Sequence, residues 1–206
     1  MAIGMYRHKE GIELRKLSRS DLPFVEDLKR ESWWGTHKTL IGNTEDCQKW
    51  FDSIPSDQLF MIAYSNTLPI GLACYTNIDW ISQTMSISGS ITKNSRQKDI
   101  VQPAFCAGLD FAFEMLNMRR LEAEVLEYHN AAFQLETGLL GFRVEGRKKQ
   151  AVYKCGKYYD SIMLGLLREE WAASNRIQTY KGCCNHSFQT IRLQLIPDSD
   201  LASTSR

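Results

Sequence analysis

The 206-residue chain contains no apolar run that approaches the roughly 18 to 20 residues of a membrane-spanning helix. Its charge is nearly balanced, with 25 Lys and Arg against 24 Asp and Glu for a formal net charge of +1. That balance excludes a nucleic-acid or membrane-surface role built on bulk charge. Histidine is scarce, at four scattered positions, and the six cysteines (Cys47, Cys74, Cys106, Cys155, Cys183, Cys184) form no C-x-x-C pair. The chain therefore lacks both the paired ligands of a structural zinc site and the density of a disulfide-stapled scaffold. The opening MAIGMYRHKEG lacks the apolar core of a secretory signal. These absences lead us to expect a cytoplasmic protein whose thiols are reduced and mostly buried.

What is present is a run of short, well-patterned elements. Residues 12–17 alternate apolar and polar, as a half-buried strand does. Ser20-Asp21 opens a helix with Pro23 in its first turn and Phe24, Val25 and Leu28 on its inner face. Thr44 is placed to cap a second helix over residues 45–54, with Cys47, Trp50, Phe51 and Ile54 inward. Residues 59–64 and 70–78 flank a turn and form a hairpin, and residues 85–91 alternate as a third strand. Gly89 inside that strand marks a bulge or a close backbone approach.

The stretch from Asn94 to Phe142 is the centre of the pattern. A polar loop leads into a helix whose face carries Val101, Phe105, Leu109, Ala112, Phe113 and Leu116. A strand over residues 121–126 and a short helix from Asn130 follow. Arg143–Gly146 reads as a polar basic run before strands at residues 151–154 and 158–167. Residues 191–196 also have strand character. No linker or repeat interrupts the chain before Ala172. Residues 1–171 therefore read as one domain, and residues 172–206 as an extension, partly disordered at its polar end.

Five segments in this order carry a family resemblance. They are Leu109-Asp110-Phe111-Ala112-Phe113 followed by Asn117 to Leu121, Asn130-Ala131-Ala132, Gly141-Phe142, Glu145-Gly146, and Tyr159-Asp160 running to Glu169-Glu170-Trp171. The chain resembles the GNAT superfamily of N-acetyltransferases, in its ribosomal-protein-acetyltransferase-like branch (RimJ/RimL), over residues 12–171. The resemblance implies an α/β (α+β) fold: a mixed, mostly antiparallel sheet with splayed middle strands and flanking helices. It also implies acetyl-CoA as co-substrate and an amine as acceptor.

The family's pyrophosphate motif, Q/R-x-x-G-x-G/A, falls on Arg96-Gln97-Lys98-Asp99-Ile100-Val101. The resemblance thus implies a cofactor site of Ile91, Arg96, Gln97, Lys98, Asp99, Ile100, Val101 and Asn130. Asp99 and Val101 stand where glycines are expected, so the loop is degenerate. A β-branched residue does not readily take positive φ, and a carboxylate repels a diphosphate. Arg96 and Lys98 offer charge in compensation. Three readings stay open here: acetyl-CoA binding, another acyl donor, or a cofactor-free binding domain.

The proton-transfer groups do not carry over from the family. Phe133 and Thr137 occupy the positions where an acid is expected, and neither is a good one. Tyr128, Tyr153 and Tyr158 qualify by chemistry, with Tyr128 preferred. For the base, a water ordered by Ser86 and Ser88, His37 and Asp79 are the candidates. Backbone N–H groups around residues 87–90 would meet an oxyanion. Trp33 and Trp34, beside His37, offer an aromatic platform for a sugar, a nucleobase or a flat amine. Arg143, Arg147, Lys148 and Lys149 permit a nucleic-acid partner without favouring one. The expected function is acetyl transfer to a primary amine of a small molecule, such as an amino sugar or nucleotide-linked metabolite. The alternatives are a non-catalytic binding module of the same fold, or an acyltransferase acting on a protein N-terminus or nucleic acid. A homodimer is left open.

Overall fold

The computed structural model describes residues 4–8, 10–32, 35 and 43–174, the side chain of Lys98 excepted. Eight strands form one sheet: β1 (Met5–Arg7), β2 (Ile12–Lys16), β3 (Leu59–Ser65), β4 (Leu68–Asp79), β5 (Thr84–Ile91), β6 (Arg120–Leu126), β7 (Arg143–Lys154) and β8 (Lys157–Leu167). Their order is β1-β2-β3-β4-β5-β6-β8-β7. Every neighbouring pair is antiparallel except β5 with β6, which run parallel. The mixed, mostly antiparallel sheet with flanking helices is the fold the sequence led us to expect.

Alternation along β3 and β4 sends side chains to two covered faces. Phe60, Ile62, Leu72 and Cys74 pack with Val25 and Leu28 of α1 (Leu22–Ser32) and with Cys47 of α2 (Thr44–Asp52). Trp50, Phe51 and Ile54 close that layer, as their spacing predicts. The helix starts differ from the sequence reading. Ser18 and Asp21 make a capping box ahead of α1, with the Ser18 amide donating to Asp21 Oδ2 at 2.8 Å. Asn43, not Thr44, caps α2, its Oδ1 accepting from the Asp46 amide at 2.9 Å. Thr44 is otherwise occupied, because its hydroxyl donates to Glu26 of α1 at 2.9 Å.

The other face holds α3 (Lys98–Asp110), which continues as a π-helical turn over Phe111–Met115. Tyr75 of β4 donates its hydroxyl to the Gly108 carbonyl at 3.0 Å, and its ring packs on Phe111 at 5.4 Å. The end of α3 is clamped from two sides. Buried Asp110 meets His8 Nε2 at 3.0 Å and accepts from Trp171 Nε1 at 2.8 Å. Trp171 belongs to α5 (Arg168–Ala173), whose Arg168 donates to the carbonyls of Met118 (2.8 Å) and Phe113 (2.6 Å). These bonds satisfy carbonyls that the helix end leaves open. Burial, and then the charge of Asp110, push the Tyr6 hydroxyl up to about 12.

The short β1, three residues long, gave no readable period in the sequence. Its Tyr6 ring packs against Phe111 in a tilted arrangement, centroids 5.5 Å apart. The basic run at Arg143 is the start of β7, which therefore begins well before the strand expected at residues 151–154. Its charges meet acids on neighbouring elements: Arg143 with Glu170 (2.7 Å), Arg147 with Asp160 (3.0 Å) and Glu127 (3.2 Å), and Lys148 with Glu124. The strand expected at residues 191–196 lies outside the described residues.

Asp110→Ala removes two buried bonds and leaves His8 and Trp171 without that partner. It is expected to lower unfolding stability by about 3 kcal/mol, read as a drop in the urea midpoint. A loss below about 0.5 kcal/mol would show that the clamp is not what holds α5 and β1 to α3.

Candidate active site

β5 and β6 pair over three positions only: Thr84↔Arg120, Met85↔Leu121 and Ser86↔Glu122. Past Ser86, β5 remains on β4 as far as Gly71↔Ile91, and β6 remains on β8 as far as Leu126↔Ser161. The two parallel strands therefore part. Between residues 87 and 91, the backbone groups that face β6 have no ladder partner. Such groups need another one when covered.

A cleft of about 500 Å³, open to solvent, runs along this edge. Ile87 to Ile91 form one wall and Phe105, Gly108 and Leu109 of α3 another; Glu136 and Leu140 close a third side. Gly89 is not a bulge, because the β4–β5 register is continuous there; the irregularity lies between Thr76 and Asp79, where Asn77 takes φ 52°. A Cβ on Gly89 would stand 3.3 Å from the Leu72 carbonyl oxygen and 3.5 Å from the Phe105 ring. Close approach at the cleft is thus the reason for glycine. Gly71 is stricter still, since a Cβ there would stand 2.5 Å from the Ser90 carbonyl oxygen.

At the cleft mouth a short turn leads into α3. The Thr92 amide donates to Ile70 O at 2.9 Å, and the Thr92 hydroxyl to Ser95 Oγ at 2.9 Å. Glu31 at the end of α1 accepts from the Lys93 amide at 3.0 Å, an anchor that sequence reasoning missed. Arg96 is exposed and Gln97 is the N-cap residue of α3. The amides of Ile100 and Val101 donate to Gln97 O, at 3.1 and 2.9 Å. Among the described residues no acceptor is found for the amides of Gln97 and Asp99. Neither Asp99 nor Val101 takes positive φ. The helical first turn therefore needs no glycine for its backbone. The departure from the motif costs room and charge, not strain.

The other sequence-derived positions scatter. Ile91 and Ser88 line the cleft, Ser88 exposed and bonded to the buried Cys74 thiol. Asn130 is the exposed first residue of α4 (Asn130–Gln134) and does not cap it. His129 does so, its Nδ1 accepting from the Ala132 amide at 3.1 Å, because it sits one residue earlier in the non-helical cap conformation. Gly35 nests on that ring: a Cβ there would stand 3.0 Å from His129 Nε2. Tyr128 packs edge-on against Tyr159 at 4.5 Å, its hydroxyl raised chiefly by burial, and is not among the residues lining the cleft. Tyr153 and Tyr158 are exposed on the β7–β8 hairpin. Trp33, Trp34 and His37 lie outside the described residues.

One residue was missed outright. α4 continues as a π-helical turn, Leu135–Leu139, and Glu136 on that turn lines the cleft. Glu136 is half-buried, and partial desolvation holds its carboxyl at about 7, against an ordinary 4.5. No hydrogen bond or ion pair reaches this side chain among the described residues. A carboxylate between Leu135 and Leu139-Leu140 was the signal available in the sequence. Thr137, by contrast, is spent on its own helix, donating to Phe133 O at 2.7 Å.

A sheet parted between two parallel strands, with a helix N-terminus at the mouth of the gap, offers a groove for an extended ligand with an anionic end. Over residues 15–163 the chain matches the acetyltransferase (GNAT) domain, and it belongs to that family. The chain is 27% identical over 101 residues to the putative ribosomal N-acetyltransferase YdaF of Bacillus subtilis, a match covering 49% of this chain and 55% of that protein. The chain thus spans about half of that relative. It is 23% identical over 167 residues to the SPbeta prophage-derived uncharacterized N-acetyltransferase YokL of the same organism, covering 79% and 93%. The fold matches the spermidine N-acetyltransferase from Vibrio cholerae in complex with CoA and spermine, with a TM-score of 0.74 at 19% identity, covering 80% of this chain and 99% of that one. Acetyl-CoA is the family's acyl donor. The residues present fit it, with an unpaired strand edge along the cleft and open amides at the α3 N-terminus.

Between about pH 4.5 and 7 the folded chain keeps the Glu136 proton that the unfolded chain releases, so stability falls as pH rises through that window. The loss amounts to at most about 3 kcal/mol. E136Q cannot ionise, so relative to wild type it is expected to gain up to that amount between about pH 5 and 8 in urea unfolding. Parallel pH profiles for the two proteins would contradict this placement of Glu136.

Proposed function

We propose that the protein transfers the acetyl group of acetyl-CoA to a primary amine of a small, cationic molecule. The observation that carries this is the free edge of β5 along an otherwise apolar cleft. Backbone groups of residues 87–91 would pair with the extended arm of the donor and hold its thioester against the strand. The amides of Gln97 and Asp99, with Arg96, would take the pyrophosphate. Transfer is direct: Cys47, Cys74 and Cys106 are buried, and neither they nor exposed Cys155 line the cleft, so none of the described thiols is placed to carry the acyl group.

Two observations favour a small acceptor. The basic stretch of β7 is largely paired with acids, which weakens the case for a polyanionic partner. The fold neighbour from Vibrio cholerae is a spermidine N-acetyltransferase. A second reading, acetylation of a protein N-terminus within the ribosomal-protein-acetyltransferase-like branch, is favoured by the relative named as a putative ribosomal N-acetyltransferase. Residues 1–171 form the catalytic domain in either reading. Both keep the protein in the cytoplasm, where acetyl-CoA is available.

Calorimetry with acetyl-CoA, followed by thiol release with a panel of polyamines, amino sugars and N-terminal peptides, decides between them. Turnover with a small amine at least about tenfold faster than with any peptide is expected; the reverse ranking would favour the second reading. No acetyl-CoA binding at all would sink both. Asp99→Asn removes a negative charge from the α3 N-terminus. It is expected to tighten acetyl-CoA severalfold, by about 0.5–1 kcal/mol, with the gain shrinking as salt rises. Unchanged or weaker binding would show that the turn has been rebuilt around the carboxylate.

A further inference from the structure

We propose that Glu136 is the proton carrier of acyl transfer: its carboxylate takes the proton from the attacking amine, and its carboxyl then gives that proton to the departing thiolate. This rests on the acetyl-transfer reading above.

The cleft itself makes the argument. Among the described residues that line it, Glu136 carries the one ionisable side chain; the rest are apolar, glycine, or the hydroxyls of Ser88 and Ser90. Four other acids in this half of the molecule are already committed. Asp110 holds His8 and Trp171, Glu31 holds the Lys93 amide, Glu124 holds Lys148 and Ser161, and Glu127 holds Arg147 and the Asp160 amide. Glu136 has no such partner among the described residues, so its carboxyl is not consumed by structure.

Its position has a local cause. In the π-helical turn the Leu140 amide reaches back to Leu135 O at 2.9 Å, and the Phe142 amide to Glu136 O at 2.9 Å. This widening changes the phase of the side chains relative to a plain α-helix, as π turns at functional sites do. Among the described residues that line the cleft, the neighbouring elements bring no charge to Glu136. β2 to β4 contribute Leu14, Ala63 and Leu72; β5 contributes Ile87 and Ile91; α3 contributes Phe105 and Leu109. Burial alone therefore sets the proton affinity of Glu136, and a carboxyl near neutrality both accepts and donates at pH 7.

The step balances with this one residue. The amine nitrogen bonds to the thioester carbonyl carbon, and the C–S bond breaks with its electron pair left on sulfur. Glu136 removes one proton from nitrogen and supplies one to sulfur. The products are the N-acetylated amine and the free thiol, and Glu136 ends in its starting charge state. The amine attacks in its neutral form, and the proton that makes it an ammonium at pH 7 is lost to bulk water before attack.

The test compares wild type, E136Q and E136D with acetyl-CoA and the best amine of the panel, following thiol release across about pH 5.5 to 9. Carbon NMR of the Glu136 carboxyl in the unliganded protein gives a readout that does not depend on turnover. For E136Q, kcat is expected to fall at least about 100-fold. Acetyl-CoA affinity should stay within about threefold of wild type. The limb of the pH profile near 7 should vanish, and E136D should restore part of the rate. The NMR midpoint should lie near 7. An E136Q enzyme that works as well as wild type with the limb intact, or a carboxyl that titrates at its ordinary value, overturns the inference. A wild type that neither binds acetyl-CoA nor releases thiol overturns the acetyl-transfer reading, and this inference with it. Those failures are distinct in the data.

Discussion

The parting of β5 from β6 after Ser86 and Glu122 is the constraint on which the molecule depends. Two parallel strands that start in register would ordinarily zip to their ends, because each unmade backbone bond is costly once covered. Here each strand is held by its other neighbour, β5 by β4 and β6 by β8, so the sheet stays continuous below the gap and opens above it. The open edge is a row of donors and acceptors in a groove of apolar side chains. An extended ligand with amides of its own completes that row.

The helices serve the same gap from both sides. α3 brings its N-terminus to the mouth and its Phe105–Leu109 stretch to the wall. The segment from α4 through its π turn closes the opposite side with Glu136 and Leu140. Both helices change to π geometry in their second halves. The far end of α3 is fixed by Asp110, which draws the start of the chain through His8 and the end of the domain through Trp171 onto one carboxylate. Elements distant in sequence thus hold α3 rigid where it meets the cleft, and the site inherits that rigidity.

Much of this was legible in the sequence because the signals were local. The strands read at residues 12–17, 59–64, 70–78, 85–91 and 121–126 and the inner face of α2 are present in the structure. What the sequence hid was non-local. Residues 5–7 are too few to show a period, and they become a strand only by pairing with β2. Arg143 to Gly146 read only as a polar basic run because their charges are answered by partners on other elements, Arg143 by Glu170 and Glu145 by Arg120. The glycine deficit at Asp99 and Val101 looked like backbone strain, and it is not, because both residues are helical. Glu136 was passed over because the family resemblance placed interest on Thr137, one residue further on. No spacing rule in the sequence announces the π turn that carries them both.

The central claim is that the unpaired edge of β5 is the acyl-donor site, and backbone hydrogen exchange tests it most directly. In the free protein, the amides of residues 87–91 that face the gap, and those of Gln97 and Asp99, should exchange fast, while their neighbours bonded to β4 exchange slowly. Addition of acetyl-CoA should slow the first set and leave the rest of the sheet unchanged. Protection that appears elsewhere, or none along residues 87–91 while acetyl-CoA is bound, would contradict the account.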